Sequence, residues 1–404
     1  MKLLVVNAGS SSLKYQLFDT SDYSVKAKGI CERIGQEVGL LDHKNLVKET
    51  RTQKDLPIAT HTDAVRIVID ALTDKEIGVI ADMSEIEAVG HRIVHGGYYF
   101  SESMLLTEEV LEKLKLCYDY APLHTGAHIQ GIQGCLAVMA NVPQVLVFDT
   151  AFHQTMAPEA YMYGLSYDMY EKHGIRRYGA HGTSHRYVAG EMIKLLGGKA
   201  EGTKIVTCHL GNGSSISAVK DGKVVDTSMG FTPLAGVEMG TRCGDMDPAV
   251  VTYIMDKEGL TAEEMSSFMN KKCGLLGVSG VSSDARDIEA AIRDGNENAL
   301  LAANILAYGI KKYIGAYAAA LNGVDAVVFT AGMGENNVEL RERVCADMEF
   351  LGIKIDAEIN KQTVRKSDAV KLSTDDSKTL VYVIPTNEEL MIARDTEALV
   401  KAKA

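Results

Sequence analysis

The feature of the chain that most restricts its fold is a motif that occurs twice, half a chain length apart. Residues 2–7 read KLLVVN and residues 204–209 read KIVTCH. In both segments an apolar stretch ends in a polar residue, and a turn rich in Gly and Ser leads into a second, alternating stretch. Repetition on this scale indicates an internal duplication, so we predict two domains with the same plan.

Each half reads as three consecutive strands followed by alternating helices and strands, in the order βββαβαβα. Strands joined through helices imply a mixed sheet with helices on its faces. We therefore predict an α/β fold of two such domains, with a cleft between them at the strand ends. The predicted first domain comprises residues 1–150 and a returning C-terminal helix at 387–404, and the second comprises residues 151–386.

Hydrophobic periodicity locates the elements within each half. Strands are predicted over residues 2–7, 13–18, 24–30, 86–94, 145–150, 204–209, 216–219, 223–227, 324–331 and 381–386. Helices are predicted over residues 62–72, 126–139, 247–257, 297–322, 338–348 and 388–401.

The charge and cysteine content narrow the functional classes. The 404 residues carry a net charge of −12, which argues against nucleic acid or an anionic membrane surface as the main partner. The longest apolar stretch, residues 299–321, is interrupted by Lys311 and Lys312, so we predict no membrane span. Seven cysteines without a CxxC pair fit reduced thiols and a cytoplasmic location.

The turn after the first predicted strand is a candidate phosphate site. It carries Asn7, Gly9, Ser10 and Ser12, and Lys14 lies just beyond it. Gly lets a backbone approach an anion closely, and successive N–H groups and hydroxyls can surround a phosphate. The alternative is an ordinary hairpin turn.

Two further Gly-rich segments favour the phosphate interpretation. In the second copy of the motif, Gly211 and Gly213 flank Asn212 directly after the apolar stretch. A third segment, residues 330–337, enters a helix predicted near Val338, where free N–H groups would favour a nucleotide. The alternative for the third segment is a left-handed turn before an Asn cap.

Several charged residues and one histidine lie in positions suited to phosphoryl chemistry. Arg242 lies between glycines, Arg92 ends a predicted strand, and His181 stands between small residues. Such groups can stabilise charge on a transferring phosphoryl group. For each arginine the alternative is a surface ion pair. The SSDARD segment offers Asp284 to a ribose hydroxyl and Arg286 to a base or phosphate, although this pattern alone is more often a salt-bridged helix cap.

Oxygen ligands at strand ends favour a magnesium site over a zinc site. Asp149 and Glu388 follow equivalent apolar strands, and with Asn7 they can surround Mg²⁺ through water molecules. The alternative is that they cap helices. Two histidine pairs have i,i+4 spacing, but neither has the glutamate of an HExxH motif, so we do not predict zinc.

Taken together, these motifs resemble the acetate kinase family across essentially the whole chain. The pattern N-x-G-S-x-S-x-K starts at Asn7, and H-x-G-x-G-x-S starts at His209. The segments RYGAHGTSH, MGTRCGD and PTNEE are also typical of that family. The resemblance implies a duplicated actin-like, ribonuclease H-like fold and Mg²⁺-dependent transfer between ATP and acetate, giving ADP and acetyl phosphate. It also implies a cytoplasmic homodimer, with Mn²⁺ as an alternative metal.

The resemblance also implies roles for individual residues. Asn7 and Glu388 would serve the metal, Arg92 would hold the acetate carboxylate, and Asp149 would be an essential carboxylate. His181, Arg242 and Asn212 would stabilise the transition state. The implied nucleotide contacts are Ser10, Ser12, Lys14, His209, Leu210, Gly211, Asn212, Gly213, Asp284, Ala285, Arg286, Gly332, Met333, Gly334, Glu335 and Asn336.

Acyl-chain selectivity is expected to depend on apolar residues near Arg92. We predict Val94, Leu123 and Pro233 as acyl contacts, with Ala180 where many members of the family have Phe. A pocket distinguishes one methylene by only about 1–3 kcal/mol, so propionate is expected to be a poorer substrate. The alternatives are a propionate or short-chain acyl kinase and an actin-like or chaperone-like ATPase module.

Overall fold

The computed structural model describes residues 1–403, apart from the side chain of Leu123, and divides into two compact units. The first unit is Met1–Ala151 together with the C-terminal segment that starts at Asn387, and the second is Phe152–Thr386. Each unit contains its own sheet.

The sheet of the first unit has eight strands. They are β1 (Lys2–Gly9), β2 (Ser12–Asp19), β3 (Ser24–Glu32), β4 (Gly39–Asn45), β5 (Thr50–Leu56), β6 (Ile86–Ile93), β7 (Met104–Leu105) and β8 (Gln144–Phe148). Their order in the sheet is β5-β4-β3-β2-β1-β6-β8-β7. β1 pairs antiparallel with β2 and parallel with β6, so it is the strand at which the sheet changes direction.

Strands β1 and β2 form a tight hairpin, which corrects the predicted position of the first turn. The pairing runs from Asn7 opposite Lys14 to Gly9 opposite Ser12, so only two serines remain for the turn. Asn7 therefore lies inside β1 and not at its end, because the backbone ladder continues through the polar residues.

Strands β4 and β5 were not predicted from the sequence. β5 reads TRTQKDL and is mostly exposed, and β4 carries charged side chains on its open face. Both segments lack the apolar content that identifies a strand locally, and pairing with β3 defines them instead.

Helices cover one face of this sheet. α1 (His61–Thr73) and α3 (Pro122–Val138) pack on its strands, and α2 (Glu108–Leu116) packs on α3. α1 begins with a capping box in which the Thr60 hydroxyl accepts from the backbone N–H of Asp63 while the Asp63 carboxylate accepts from that of Thr60. Its apolar side packs with the inward residues of β1 and β2, among them Leu4, Val6 and Leu13.

The sheet of the second unit repeats the first arrangement with six strands. They are β9 (Lys204–Leu210), β10 (Ser214–Lys220), β11 (Lys223–Thr227), β12 (Ala326–Thr330), β13 (Val370–Lys371) and β14 (Leu380–Val383). Their order is β11-β10-β9-β12-β14-β13. β9 occupies the place of β1, since it pairs antiparallel with β10 and parallel with β12.

Eleven helices belong to the described part of the second unit. They are α4 (Pro158–Tyr161), α5 (Tyr167–His173), α6 (Gly182–Leu195), α7 (Pro248–Glu258), α8 (Ala262–Lys271), α9 (Gly274–Ser279), α10 (Ala285–Arg293), α11 (Glu297–Ala320), α12 (Ala331–Asn336), α13 (Val338–Cys345) and α14 (Ala357–Gln362). α11 packs on the sheet through small residues such as Ala299, Ala302 and Ala303, which allow a close approach.

The last helix, α15 (Glu388–Lys403), belongs to the first unit and covers the other face of its sheet. Ile392 and Ala393 pack with Leu3 and Val5. Gly90 in β6 permits this contact, because a Cβ at that position would stand 2.8 Å from Ile392 Cγ2. Among residues 1–403, none of the helices combines the length and apolar composition of a membrane span.

A buried arginine ties the helices near the third Gly-rich segment together. Arg341 in α13 is fully buried. Its guanidinium donates to the Gly334 carbonyl at 2.9 Å, to the Asn360 side chain at 2.7 Å and to the Thr363 carbonyl at 2.8 Å. Burial lowers the pKa of Arg341 to about 10. The buried guanidinium of Arg341, which is solvated by backbone oxygens, therefore helps to hold α12 in position.

Candidate active site

In the first unit, three predicted site residues form one charged cluster. Arg92 lies on β6, Asp149 directly follows β8, and Glu388 begins α15. Arg92 donates to Asp149 from Nε at 3.1 Å and from Nη2 at 2.8 Å, and its Nη1 lies 3.6 Å from Glu388 Oε2. Asp149 is buried, so Arg92 is not one of the loosely held surface ion pairs that were considered for it.

Burial and mutual repulsion shape the protonation of the cluster. Burial alone would lower the pKa of Arg92, but the charges of Asp149 and Glu388 raise it overall, so the guanidinium stays charged. Burial raises the pKa of Glu388 to about 7, where attraction by Arg92 opposes the shift and repulsion by Asp149 and Glu389 adds to it. Glu388 can therefore change its protonation state near neutral pH.

The same region has a donor set that fits a hard cation. Oε1 of Glu388 is buried and has no hydrogen-bond partner. Asn7 and Lys14 line one cavity with Glu389. Among residues 1–403, no group of three or more His, Cys, Asp or Glu side chains has metal-binding geometry. Mg²⁺ commonly takes one or two carboxylates and fills the other positions with water and phosphate oxygens, so this set suits it.

The remaining predicted residues of the first unit lie around this cluster or away from it. The backbone N–H of Val94 donates to His128 Nε2 at 3.2 Å, and burial lowers the pKa of His128 to about 3. Ser10 lies in the hairpin turn and lines a different cavity from Lys14. Ser12 pairs with Gly9 in the hairpin. The predicted contact Leu123 lies outside the described residues, because its side chain is not described.

In the second unit, a buried histidine network positions His181 and His209. Their rings stack with centroids 4.0 Å apart. The Ser215 hydroxyl lies 2.9 Å from His181 Nδ1 and 2.7 Å from His185 Nε2. Burial lowers the pKa of His185 well below its usual range. His185 therefore supports the His181 ring through the Ser215 hydroxyl.

His181 and Arg242 flank the second glycine turn. A Cβ built on Gly213 would stand 3.4 Å from Arg242 Nη1 and 3.6 Å from His181 Nε2. His181 adopts a left-handed backbone with φ 58°, and α6 starts at the next residue. Arg242 Nη1 donates to the Pro233 carbonyl at 3.0 Å. Two cationic or donor side chains thus point to one glycine.

A cavity of about 640 Å³ in the second unit collects much of the predicted nucleotide set. Gly211, Asn212, Asp284, Ala285, Arg286, Gly332, Met333 and Asn336 line it. His209, Leu210, Gly213, Gly334 and Glu335 do not. The sequence interpretation missed Ser283, Glu289, Arg293, Asn337, Glu339 and Arg365, which also line this cavity. Arg365 comes from a distant segment with no local signal, whereas Ser283 lies within the SSDARD segment itself.

The third Gly-rich segment is a short helix and not the loop predicted. Residues Ala331–Asn336 form α12, and α13 follows with Asn337 as its cap. Glu335 Oε1 accepts from the backbone N–H of Ala331 at 2.8 Å, which helps the chain to turn directly into the helix. Gly334 is buried inside this turn.

Asp284 and Arg286 match the capping alternative and line the cavity as well. Asp284 caps α10 by accepting from the backbone N–H of Arg286 at 2.9 Å. Its carboxylate also accepts from Arg286 Nε at 3.0 Å and from Nη2. The Arg286 side chain is 87% exposed, so this ion pair is weak and can rearrange around a ligand.

Known proteins resemble the chain over nearly its full length. A family model described as "Acetokinase family" matches residues 2–394. A protein named acetate kinase from Caldanaerobacter subterraneus subsp. tengcongensis is 57% identical over 99% of both chains. The crystal structure of Porphyromonas gingivalis acetate kinase is 48% identical, covers 99% of both chains and has a TM-score of 0.94. A propionate kinase structure from Francisella tularensis is 40% identical, covers 98% of this chain and 99% of its own, and has a TM-score of 0.91. These matches confirm the predicted family resemblance and α/β fold class.

The charged cluster of the first unit yields a stability prediction. Replacing Arg92 with Leu leaves two carboxylates near each other without their counter-charge. We expect Arg92→Leu to lower the free energy of unfolding by about 3–5 kcal/mol at pH 8. Without Arg92 the pKa of Glu388 rises further in the folded state. The folded variant then holds a proton that the unfolded chain releases, so lowering the pH stabilises the folded variant more than the wild type. The loss in free energy of unfolding relative to the wild type is therefore smaller at pH 5 than at pH 8. Urea unfolding at both pH values measures this.

The matched control is Arg51→Leu, which removes an exposed bidentate pair with Asp42 in the same unit. We expect this change to cost less than about 1 kcal/mol, with little dependence on pH. Equal losses for the two variants, or a loss for Arg92→Leu that grows towards pH 5, would contradict the assignment.

Proposed function

Because the chain belongs to the acetokinase family, we propose that it transfers the terminal phosphoryl group of ATP to acetate, forming acetyl phosphate and ADP, and catalyses the reverse reaction. The observation that carries the proposal is the guanidinium of Arg92, which is oriented by Asp149 and is 20% exposed. An oriented guanidinium is suited to bidentate binding of a carboxylate such as acetate. The family and its named relatives make the protein a phosphotransferase.

Acetate binds to Arg92 in this proposal, and Asp149 acts by holding Arg92. Acetate is already an anion near neutral pH, so no general base is needed to activate it. Asp149 accepts two hydrogen bonds from Arg92, which suits an orienting role better than proton removal. The acyl contacts Val94, Leu123 and Pro233 stay predictions. Ala180 is buried beside Met229 and Met239.

Nucleotide binds in the cavity of the second unit in this proposal. Its size suits a nucleotide, and its lining includes the glycine turn at Gly211 and Asn212 and a rearrangeable ion pair at Asp284 and Arg286. We assign Lys14, Ser10 and Ser12 to phosphate contacts only on the strength of the family motif. Of these, Lys14 has the better placed side chain, because it shares a cavity with Asn7.

Mg²⁺ fits the first unit on the evidence of the unpartnered buried oxygen of Glu388. Glu388 and Asn7 would hold the ion, and it would neutralise phosphate charge when bound. Charge that develops on the transferring phosphoryl group would be stabilised by His181, Arg242 and Asn212. His181 Nδ1 lies 2.9 Å from the Ser215 hydroxyl, and Nε2 lies on the side of Gly213, where a donor would reach a phosphoryl oxygen held by the glycine turn.

The direct test is acetyl phosphate formation. With ATP, MgCl₂ and acetate, we expect an acyl hydroxamate to form after hydroxylamine is added, and we expect kcat/KM for propionate to be lower by roughly 10- to 200-fold. A preference for propionate would favour the propionate kinase alternative. ATP hydrolysis without hydroxamate would contradict the kinase proposal.

His181 gives the sharpest test of the transition-state assignment. We expect His181→Ala to lower kcat by about 10²–10³-fold, because it removes a donor to charge that develops in the transition state. KM for ATP should change little, since that contact is weak in the ground state. The control is His173→Ala, which alters an exposed histidine at the end of α5. A rise in KM for ATP of similar size, without a loss of kcat, would instead assign His181 to ground-state binding.

We also propose that the protein is a homodimer that contacts its copy through α11. Leu301, Ile305 and Tyr308 are 52%, 41% and 65% exposed and lie on one side of this helix. Sedimentation velocity should give twice the mass of 43.7 kDa, and Leu301→Glu with Tyr308→Glu should give the monomer. Phe350→Glu, at another exposed apolar residue, is the control. A wild-type monomer would contradict this proposal.

A cytoplasmic location stays a prediction, with which the seven free cysteines agree.

A further inference from the structure

One part of the first unit's sheet is open on the face that carries α15. The register places Val5, Gln16, Lys28 and Lys44 in one row across β1 to β4. The neighbouring row is Asn7, Lys14, Ile30 and Asp42. Side chains two residues apart on a strand share a face, so both rows point the same way. They line a cavity of about 400 Å³ bordered by Glu389, which we call the lysine cavity.

The lysine cavity brings like charges into direct opposition. Lys28 on β3 and Lys44 on β4 are direct cross-strand partners. Lys14 lies diagonally across from Lys28, since Gln16 is the residue that faces Lys28. Like charges directly opposite each other destabilise a sheet, and diagonal neighbours are within reach of long side chains. The arrangement is therefore unfavourable unless an anion joins it.

The acidic residues of the cavity do not neutralise these lysines. Asp42 is occupied by Arg51, which donates to it at 2.9 Å and 2.6 Å. Glu389 is the other carboxylate in the lining. Within residues 1–403, none of the three lysines lies within 4.0 Å of a carboxylate oxygen. Asp42 also attracts Lys44, and Glu388 attracts Lys14, but both carboxylates are shared with arginines, so the three ammonium groups outweigh the negative charge that faces them.

We infer that the lysine cavity is a second anion site, which binds a small multivalent oxyanion of the polyphosphate class. Lys ammonium groups bind phosphate as point charges, and three of them spread along the floor match several linked phosphoryl groups better than one. The amide of Gln16 adds a neutral donor. No free guanidinium lies in the cavity to form the fork that planar carboxylates prefer, since Arg51 is engaged by Asp42.

The position of the site predicts its effect. Lys14 lines the lysine cavity and is also the lysine assigned to nucleotide phosphate under the proposed function, on which this consequence rests. An occupant that engages Lys14 together with Lys28 and Lys44 would compete with ATP for that lysine. We therefore expect inhibition by the anion that rising ATP relieves, with the binding itself independent of the catalytic reaction.

The test uses inorganic pyrophosphate as the probe, without divalent metal or nucleotide. Isothermal titration calorimetry compares the wild type with the Lys28→Gln/Lys44→Gln double variant. We expect the double variant to bind about 10-fold more weakly or worse, because two of three charge contacts are lost. The charge-matched control is Lys54→Gln/Lys75→Gln. Lys54 pairs with the inward-facing Leu41 and so lies on the opposite face of the sheet, and Lys75 follows α1. The control should bind pyrophosphate within about 2-fold of the wild type.

Thermal unfolding provides a second readout that does not need a measurable affinity. Without pyrophosphate, Lys28→Gln should unfold at a higher temperature than the wild type, because it removes the opposed charge. Pyrophosphate should raise the midpoint of the wild type and of the control more than that of the double variant. Equal binding and equal shifts in all three proteins would place pyrophosphate elsewhere, for example at the glycine turns of the second unit, and would overturn the inference.

Enzymatic assays separate this inference from the proposed function. Lys28 and Lys44 are outside the catalytic set, so the double variant should form acetyl phosphate at the wild-type rate when pyrophosphate is absent. With pyrophosphate, the wild type and the control should lose activity at low ATP and the double variant should lose less. Hydroxamate formation tests the kinase proposal alone, whereas calorimetry tests the lysine cavity even in a protein that makes no acetyl phosphate.

Discussion

The pairing of the first strand of each unit determines where the chemistry-bearing residues lie. β1 has an antiparallel neighbour on one side and a parallel neighbour on the other, and β9 repeats this. The register sets Val6 opposite His91, so Asn7 and Arg92 both lie towards the carboxyl ends of these two parallel strands. The parallel pairing of β6 with β8 places Asp149, which directly follows β8, at that end as well. In the second unit the same rule sets His209 opposite Thr330. Backbone hydrogen bonds thus assemble polar residues that are far apart in sequence.

These polar groups lose hydration when they are buried, and the two units compensate for that loss in different ways. In the first unit, Arg92 faces two carboxylates, and burial, with repulsion by Asp149 added to it, raises the pKa of Glu388. In the second unit, the Ser215 hydroxyl links the His181 and His185 rings, and Arg341 is solvated by backbone carbonyls. The first arrangement leaves negative charge that a cation can complete. The second fixes the directions of its donor side chains, as electrostatic stabilisation of a transition state requires.

The sequence was most informative where the signal was local. Apolar runs located β1, β6, β8, β9 and β12, because buried strands need continuous apolar residues. The polar hairpin β4–β5 was missed, since only pairing with β3 makes it a strand. The glycines around Gly332 suggest a loop, whereas the segment is helical and the Glu335 carboxylate accepts from the backbone N–H of its first residue, Ala331. The motifs identified Arg92 and Asp149, but their mutual hydrogen bonds depend on the neighbouring strands. No local pattern indicated Arg365 or the role of Arg341, because their partners lie in distant segments.

The hairpin and phosphate interpretations of the first turn are compatible once side-chain direction is considered. The backbone of Gly9 and Ser12 is engaged in the ladder, so it has little freedom to surround an anion as a loop would. Alternation along β2 nevertheless puts Lys14 on the open face and Leu13 and Tyr15 in the core. A tight hairpin therefore fixes the direction of the lysine, which a flexible loop would not do. The same alternation on β3 and β4 aligns Lys28 and Lys44 with it. The lysine cavity is thus a consequence of strand register, and a one-residue slip of β3 would turn Lys28 into the core and abolish the cavity.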